Sequence, residues 1–419
     1  MSERERDIDV YKSMLDIDKK IGTLYENRER GKEVYSFGYD DNWIKGYPSR
    51  FFDPDLPIEE GRKFTPYDKR IFGLFDDSTP DRWGRKILQR YENIIAEEEK
   101  RQSKTLNELD YILYLCDVSR MGGLRFKYEG EEEFIGTECN IPKIEELGEL
   151  ENASFEYEKN DDKSGSKCIK QLVKASAQSL GGARPKVCVK DKDGTLWIAK
   201  FPSKKDKWNM EAWEYTVQKL AFMCGLNTTE IKIKNLSKRG STFLSKRFDR
   251  AYSNKEMQRI HYASSMTMLG KTDGSGFKEE IGYLDIAEFI KMYGAETSKD
   301  LEELWNRVFF NYCISNTDDH LRNHGFLLTE KGWKLSPLFD VNPNPMGTYS
   351  ALAIDENKDN ELSLKTIIDT AYCYGLEERK AKENAERITQ VVNDNWKRIA
   401  KSVGISQSEI NKMGNAFRK

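Results

Sequence analysis

What most constrains this chain is a change of pattern after residue 170. The stretch "KVCVKDKDGTLWIAKF" places Val187 and Val189 in alternation, turns at "DKDG", and resumes with Leu196, Ile198 and Phe201, which predicts a β-hairpin. "WNMEAWEYTVQKLAFMCGL" follows as an amphipathic helix stopped near Gly225, and "STFLSKRFDR" as a further strand. From about residue 283 onward helical patterns dominate, "KENAERITQVVNDNWKRIAKSV" among them. Strands followed by helices in separate blocks point to an α+β fold. The expected division is a mixed α/β accessory domain over 1–150, a polar linker over 151–170, a β-rich lobe over 171–250 and a helical lobe over 251–419.

At 419 residues the chain exceeds what one hydrophobic core ordinarily supports, which agrees with several domains. Within 1–150, Val10, Met14, Leu15, Ile21 and Leu24 suggest an early helix, and "EVYSFGY" a strand. "FDDSTPDRWGRKILQRYE" predicts a helix opening just after Pro80. "LNELDYILYLC" predicts another helix, and "MGGLRF" a glycine turn into a strand. The linker "ENASFEYEKNDDKSGSKCIK" is dense in charge.

The bulk composition narrows the function classes. With 38% hydrophobic and 33% charged residues the chain is too apolar for global disorder. A net charge of −3 gives no chain-wide basic field for nucleic acid. The seven cysteines are scattered, odd in number and never spaced C-x-x-C, so neither a disulfide framework nor a zinc site is expected, and a reducing cytoplasm is the simplest home. "MSERERDIDV" is charged where a signal peptide needs an apolar core, and no apolar run approaches membrane-spanning length.

Chemistry concentrates in "NTDDHLRNHGF", residues 316–326, which holds two of the chain's three histidines. A loop that only turns a corner needs one Asn or Asp. A β-lobe before an α-lobe with such a loop suits phosphoryl transfer from ATP, where catalysis is mostly positioning and charge neutralisation. That chemistry requires a strand lysine for the phosphates and a helix acid to hold it. It also requires a carboxylate for the acceptor hydroxyl, and oxygen ligands for magnesium. Lys200 ends the hairpin, and Glu214 lies on the next helix with Glu211 as a rival. Asp318 and Asn323 are five residues apart, so one tight loop can aim the first at a hydroxyl and the second at a metal. Asp340 follows a strand-like "GFLLTEKGWKLSPLF" that would return it to the same cleft as a second metal ligand.

Taken singly, each piece has a plain structural reading. Strand lysines are usually solvated, helix glutamates usually lie on surfaces, and Asx turns abound. "SLGGARPK" could bring backbone N–H groups of Leu180, Gly181 and Gly182 against phosphates, with Lys186 assisting, or be only a turn before an exposed lysine. His261 reads as an ordinary core residue. Trp83, Trp208, Trp213 and Trp333 read as packing residues. The ordered set, with its spacings, is what favours the kinase-like reading.

Together, "SLGGARPK", "IAKFP", "KRFDR", "NTDDHLRNHGF" and "SPLFDV", with "DSTPDRWGR" and "GGLRF" upstream, resemble the HipA family of serine/threonine kinases, the toxins of HipBA-type toxin–antitoxin modules. The likeness spans roughly residues 35–400. It implies a two-lobed protein-kinase-like body that uses ATP and Mg2+. Asp318 would be the catalytic aspartate with His320 beside it, Asn323 and Asp340 would hold magnesium, and Lys200 would contact the phosphates. The segment around Lys246 and Phe248, with Phe339, would meet the nucleotide. Ser179 would be a regulatory autophosphorylated serine. Asp319 and His324 would orient the turn. A protein substrate from translation, such as an aminoacyl-tRNA synthetase, is implied, as is a small helix-turn-helix antitoxin of HipB type that carries most of the DNA contact. Pro185 and Phe339 depart from the commonest residues of the family, and "FDVN" lacks the glycine of ordinary protein kinases. Three other readings stay open. They are a small-molecule kinase of the aminoglycoside or choline type, a catalytically silent pseudokinase acting as a binding or co-repressor module, and a kinase working without an antitoxin.

Overall fold

A computed structural model describes residues 6–14, 17–29, 32–47, 51–159, 166–175, 184–253 and 256–418. The chain divides into two compact units. One comprises 1–198, 249–263 and 270–272; the other comprises 199–248, 264–269 and 273–419. The division therefore falls inside the expected β-rich lobe, at the last residues of its hairpin. The α+β character predicted from the sequence holds in both units.

In the first unit, five antiparallel strands form a sheet in the order Arg62–Phe64, Lys32–Tyr39, Ile17–Glu29, Asp7–Met14, Leu124–Tyr128. The early helix is thus a strand pair. A spacing of four, as between Val10 and Met14, satisfies a strand's period of two as well as a helix's. The register sets Ile8 opposite Leu24 and Val10 opposite Gly22. Gly22 is needed there, because a Cβ would stand 2.5 Å from the ring of Phe37 on the next strand.

The helix Arg82–Glu98 starts where expected, with Asp81 accepting from the Gly84 N–H at 2.8 Å. The described residues of the supposed linker are helical: Leu147–Lys159 and Ser166–Ala175 are both helices. Their few apolar residues, Ala153, Tyr157, Ile169 and Leu172, pack with Trp83 and Ile87 in one core cluster. A stripe of one apolar residue per turn suffices for burial on one face, and charge density on the other hid it.

The cysteine expectation is also corrected. Cys116 and Cys139 form a disulfide across 23 residues, whereas Cys168, Cys188, Cys224, Cys313 and Cys373 are not disulfide-bonded. The chain after Tyr128 doubles back, with Ile135 N–H bonded to Phe126 O at 2.8 Å and Asp117 N–H to Gly136 O at 2.9 Å, and so returns Cys139 to Cys116. Gly136 allows that approach, since its φ is +80° and a Cβ would lie 2.5 Å from Leu115 O. No spacing rule announces a contact made by a returning loop.

In the second unit, the strands Ile231–Ser237 and Gly240–Lys246 pair as a hairpin beside the helix Met210–Met223. The helices Tyr283–Tyr293, Thr297–Ile314 and Glu378–Ser402 build the helical part, with Thr297–Ile314 packed on both of the others. Trp213, Trp396 and Phe417 stack together, Trp396 and Phe417 at 4.1 Å between ring centroids. The segment expected as one strand after Asn323 is a hairpin, Gly325–Thr329 with Gly332–Leu335, because Gly332 at φ +130° reverses it. Among the described residues no helix is long and apolar enough to cross a membrane.

Candidate functional site

The site lies within the second unit and is best built outward from Lys200. This residue ends the strand Leu196–Lys200, and its ammonium is almost wholly buried. An unpaired buried ammonium would lose its proton, so partners are obligatory. Glu214, on the helix Met210–Met223, supplies both carboxylate oxygens at 2.7 and 2.9 Å, and Asp340 supplies one at 2.6 Å. Burial alone would lower the Lys200 pKa, but Asp340 and Glu214 outweigh it and hold the ammonium well above the ordinary lysine value. Glu214, rather than Glu211, is the lysine's partner.

Both carboxylates are fixed from behind. The helix bearing Glu214 is anchored by Glu409, which accepts from the Asn209 N–H at 2.9 Å and from Trp213 Nε1 at 2.8 Å. The approach to Asp340 is held through Leu338, whose N–H donates to Asn227 O at 2.8 Å and whose carbonyl accepts from Gln218 at 3.3 Å. Asp340 itself takes a left-handed backbone, φ +56°, a conformation that Asp tolerates better than bulkier residues. Strain of this kind collects where a side chain must be aimed.

The second half of the site is the predicted loop. The helix Thr297–Ile314 ends at Ser315 in left-handed conformation, whose N–H bonds back to Asn311 O and Tyr312 O. The chain then runs without regular secondary structure through Asp318 to a single 3-10 turn, Leu321–Asn323, closed by the Asn323 N–H on His320 O at 2.8 Å. Asn323 donates its side-chain N–H to the Asp318 carbonyl at 2.9 Å, so the amide is oriented and its Oδ1 points elsewhere. That oxygen is buried and has no hydrogen-bond partner.

A buried, oriented, unsatisfied carbonyl oxygen near an aspartate fits a hard cation such as Mg2+, which binds through one or two carboxylates and otherwise through water and phosphate. Among the described residues no cluster of three His, Cys, Asp or Glu could hold a metal unaided. Asn323 Oδ1 and an Asp340 carboxylate oxygen are each of the kind such an ion takes.

Asp318 opens to solvent and makes no side-chain hydrogen bond among the described residues. Partial desolvation raises its carboxyl pKa, His320 opposes the rise, and the charges of Asp340 and Asp319 add to it. A carboxylate with a raised pKa is a better proton acceptor than an ordinary one. His320 sits at the entry of the 3-10 turn with its Nδ1 buried and unpartnered.

The remaining expected residues fall in different places. Phe248 and Phe339 lie together, ring centroids 5.5 Å apart, as two sides of one aromatic corner. Lys246 uses its own N–H on Glu230 O at 2.9 Å and its carbonyl on the Thr229 hydroxyl at 2.7 Å. Its ammonium stands 3.6 Å from Glu230. Lys186, in the first unit, is not the exposed lysine that one reading allowed: it is buried, 3.2 Å from Asp81. Ser179, Leu180, Gly181 and Gly182 lie outside the described residues. His261, also in the first unit, packs edge-on against Phe52, as an ordinary core histidine would. Trp83, Trp213 and Trp333 are buried, as expected of packing residues.

Two further residues touch the loop from outside it. Tyr283 and Asn311 both bond to Asp319, yet they stand alone on separate helices and carry no motif that would link them to it.

With this geometry in place, comparison with known proteins shows two family matches. Residues 14–126 match the HipA N-terminal domain and residues 178–396 the HipA-like C-terminal domain. A putative kinase of Haemophilus influenzae is 28% identical over 139 residues, covering 31% of this chain and 40% of that protein. The putative kinase Y4mE of Sinorhizobium fredii is 27% identical over 183 residues, covering 39% of this chain and 41% of that protein. The chain thus spans about two-fifths of the length of these relatives. Among solved structures, HipA of Shewanella oneidensis, in complex with HipB and operator DNA, superposes with a TM-score of 0.65 at 15% identity. That match covers 98% of this chain and 94% of the other.

Proposed function

Because the chain belongs to the HipA family, we propose that it is an ATP- and Mg2+-dependent serine/threonine protein kinase. The observation that carries the proposal is the convergence of Glu214 and Asp340 on the buried Lys200 ammonium. A strand lysine held between a helix glutamate and the aspartate that follows the catalytic hairpin is what phosphate positioning requires. In the transfer, Asp318 takes the proton of the acceptor hydroxyl. The hydroxyl oxygen bonds to the γ-phosphorus, and the bond from that phosphorus to the β-γ bridging oxygen breaks, leaving ADP. Lys200 lies where it can meet the phosphates, while Phe248 and Phe339 flank the adenine. Bound magnesium would supply charge neutralisation on the phosphates, with Asn323 Oδ1 and Asp340 holding it.

The finer reading continues from the family. The substrate is a protein of translation, an aminoacyl-tRNA synthetase being one such class. A HipB-like helix-turn-helix antitoxin restrains the kinase and makes most of the DNA contact, in line with the complex that the Shewanella protein forms with HipB and operator DNA. The site of action is the cytoplasm. Ser179 is the autophosphorylation site that switches the enzyme off. A phosphoserine carries about −1.5 to −2 charge, and placed beside ATP's own phosphates it repels them.

The test is intact-mass spectrometry after incubation with ATP and magnesium. Wild type should gain one phosphate, mapping to Ser179. In Asp318→Ala the rate should fall by roughly 10²–10⁴, the usual worth of a positioned base. Equal rates in the two proteins would overturn the assignment of Asp318.

A further inference from the structure

The aspartate and histidine next in chain to the two reactive residues share one buried bond. Asp319 follows Asp318, His324 follows Asn323, and His324 Nε2 lies 2.9 Å from Asp319 Oδ2. The same oxygen accepts from the Tyr283 hydroxyl at 2.7 Å and from Asn311 Nδ2 at 2.6 Å. Both members of the pair are buried, Asp319 to 1% exposure and His324 completely. Each donor is itself fixed. Asn311 Oδ1 accepts from Asn316 Nδ2 at 3.1 Å, Tyr283 lies 3.4 Å from the Ser350 hydroxyl, and the His324 carbonyl accepts from the Ser265 N–H at 2.8 Å. The Tyr283 ring also meets the His324 ring edge-on at 5.7 Å.

We infer that Asp319 and His324 are positioning residues, a clamp that sets the distance and direction between the Asp318 carboxylate and the Asn323 carbonyl oxygen. The inference rests on the kinase reading above, and neither residue touches the reacting groups. Asp318 shares a planar peptide unit with Asp319, so fixing the buried Asp319 restricts the backbone that carries the exposed Asp318, and fixing His324 fixes the end of the turn that carries Asn323. Tyr283 and Asn311 come from two different helices, so the clamp ties the loop to both. A carboxylate this deeply buried has to be met by donors or it would be protonated. Burial pushes the Asp319 pKa up, but His324 and Tyr283 prevail and keep it below the usual carboxylate range.

The test separates the two metal-site halves. ATP affinity is measured without divalent ion, and Mn2+ affinity of the ATP-loaded protein by electron paramagnetic resonance, beside the rate of phosphoryl transfer. In Asp319→Asn, metal-free ATP affinity should be unchanged, because Lys200 and Glu214 are untouched. Mn2+ affinity should fall by about 10- to 100-fold, the usual worth of a residue that holds a metal ligand, and the rate should fall with it. His324→Gln, which keeps a donor toward Asp319, should restore most of the Mn2+ affinity that His324→Leu loses. A residue that merely stabilised the fold would lower the fraction of binding-competent protein and leave both affinities alone. If Asp319→Asn does not fold, Tyr283→Phe, which removes one of the three donors, should show the same pattern to a smaller degree. Wild-type Mn2+ affinity and rate in the variants, with an active wild type, would overturn the clamp and spare the kinase. A wild type that neither binds Mn2+ with ATP nor transfers phosphate would overturn the kinase reading and the clamp with it.

Discussion

The loop 316–324 of the second unit and the arginine-rich seam of the first are both dense in buried charge, and they use it in opposite ways. In the seam, one carboxylate serves three guanidiniums. Asp117 accepts from Arg120 Nη1 at 3.1 Å, from Arg125 Nε and Nη2 at 3.0 and 2.8 Å, and from Arg259 Nη2 at 2.7 Å. Burial lowers Arg120 to about 10, which still leaves it charged at neutral pH. Asp117, Arg125 and Arg259 also line a cavity of about 510 Å³, with Asp18 and Glu256. By residue type this cavity is the more ionic of the two regions, but Asp18, Asp117, Arg125 and Arg259 are turned on one another. In the loop 316–324 the charge of Asp319 is met by a tyrosine, an asparagine and a histidine, while the Asp318 carboxylate and the Asn323 oxygen beside it have no partner among the described residues. Mutually satisfied charge is scaffold. A site shows itself as a polar atom that the fold has aimed and left unsatisfied.

If that contrast is right, breaking the seam should cost stability and not chemistry. Asp117→Ala takes a carboxylate from three arginines, one of them, Arg120, with no solvent exposure and otherwise met by backbone carbonyls. Removing one partner of a buried charge cluster typically costs about 3–5 kcal/mol. Denaturant unfolding should show a loss of that order, with the phosphoryl-transfer rate per folded molecule unchanged. A large drop in the rate of the folded variant would mean that the seam takes part in the chemistry.

The same contrast explains what could be seen in the sequence. The meeting of Lys200, Glu214 and Asp340, and the shared loop of Asp318 and Asn323, were legible because the phosphoryl-transfer reading asks for these residue types in this order along the chain. The hairpin at 186–200 and the helices after 283 were legible from periodicity alone. Tyr283 and Asn311 were not, since a hydroxyl and an amide contributed by two separate helices leave no spacing to read. Nor was Asp117, whose partners Arg120, Arg125 and Arg259 become a cluster only when residues 142 positions apart meet. The strand Asp7–Met14 and the helices Leu147–Lys159 and Ser166–Ala175 were misread for a related reason. Short apolar stripes in charged surroundings fit more than one period until tertiary contacts choose between them.

Two buried aspartates sharpen the comparison in solution. Asp319 lies below the usual carboxylate range, so its contribution to stability is present at neutral pH and is lost as pH falls through its folded pKa. Asp53, in the first unit, is fully buried and among the described residues is met by the backbone N–H groups of Asp55 at 2.9 Å and Leu74 at 2.7 Å. Burial raises its pKa from 3.8 to about 6 against those two bonds. The folded state therefore binds the proton more tightly than the unfolded chain, and stability from this group falls as pH rises through that window. At 1.36 kcal/mol per unit the loss is about 3 kcal/mol. Asn cannot titrate, so Asp53→Asn should gain on wild type by that amount between pH 4 and pH 7, as read from denaturant midpoints across about that range. A difference that stays constant with pH would place Asp53 at an ordinary carboxylate pKa.

The smallest effect belongs to a residue at the margin of the site. The Lys246 ammonium lies 3.6 Å from a Glu230 carboxylate whose side chain is 55% exposed, and such surface pairs contribute about 0.2–1 kcal/mol. Lys246→Ala should therefore shift unfolding by less than about 1 kcal/mol. Its backbone N–H and carbonyl already have partners in Glu230 and Thr229, and those bonds survive the substitution. The KM for ATP should then stay as in wild type, because any contact this segment makes with adenine would run through its backbone and the Phe248 ring. A KM raised by about tenfold, equivalent to 1.4 kcal/mol of binding, would place the ammonium itself on the nucleotide. Lys246 would then join Asn323 and Asp318 as a group aimed at a ligand, and its contact with Glu230 would be the resting arrangement of a binding residue.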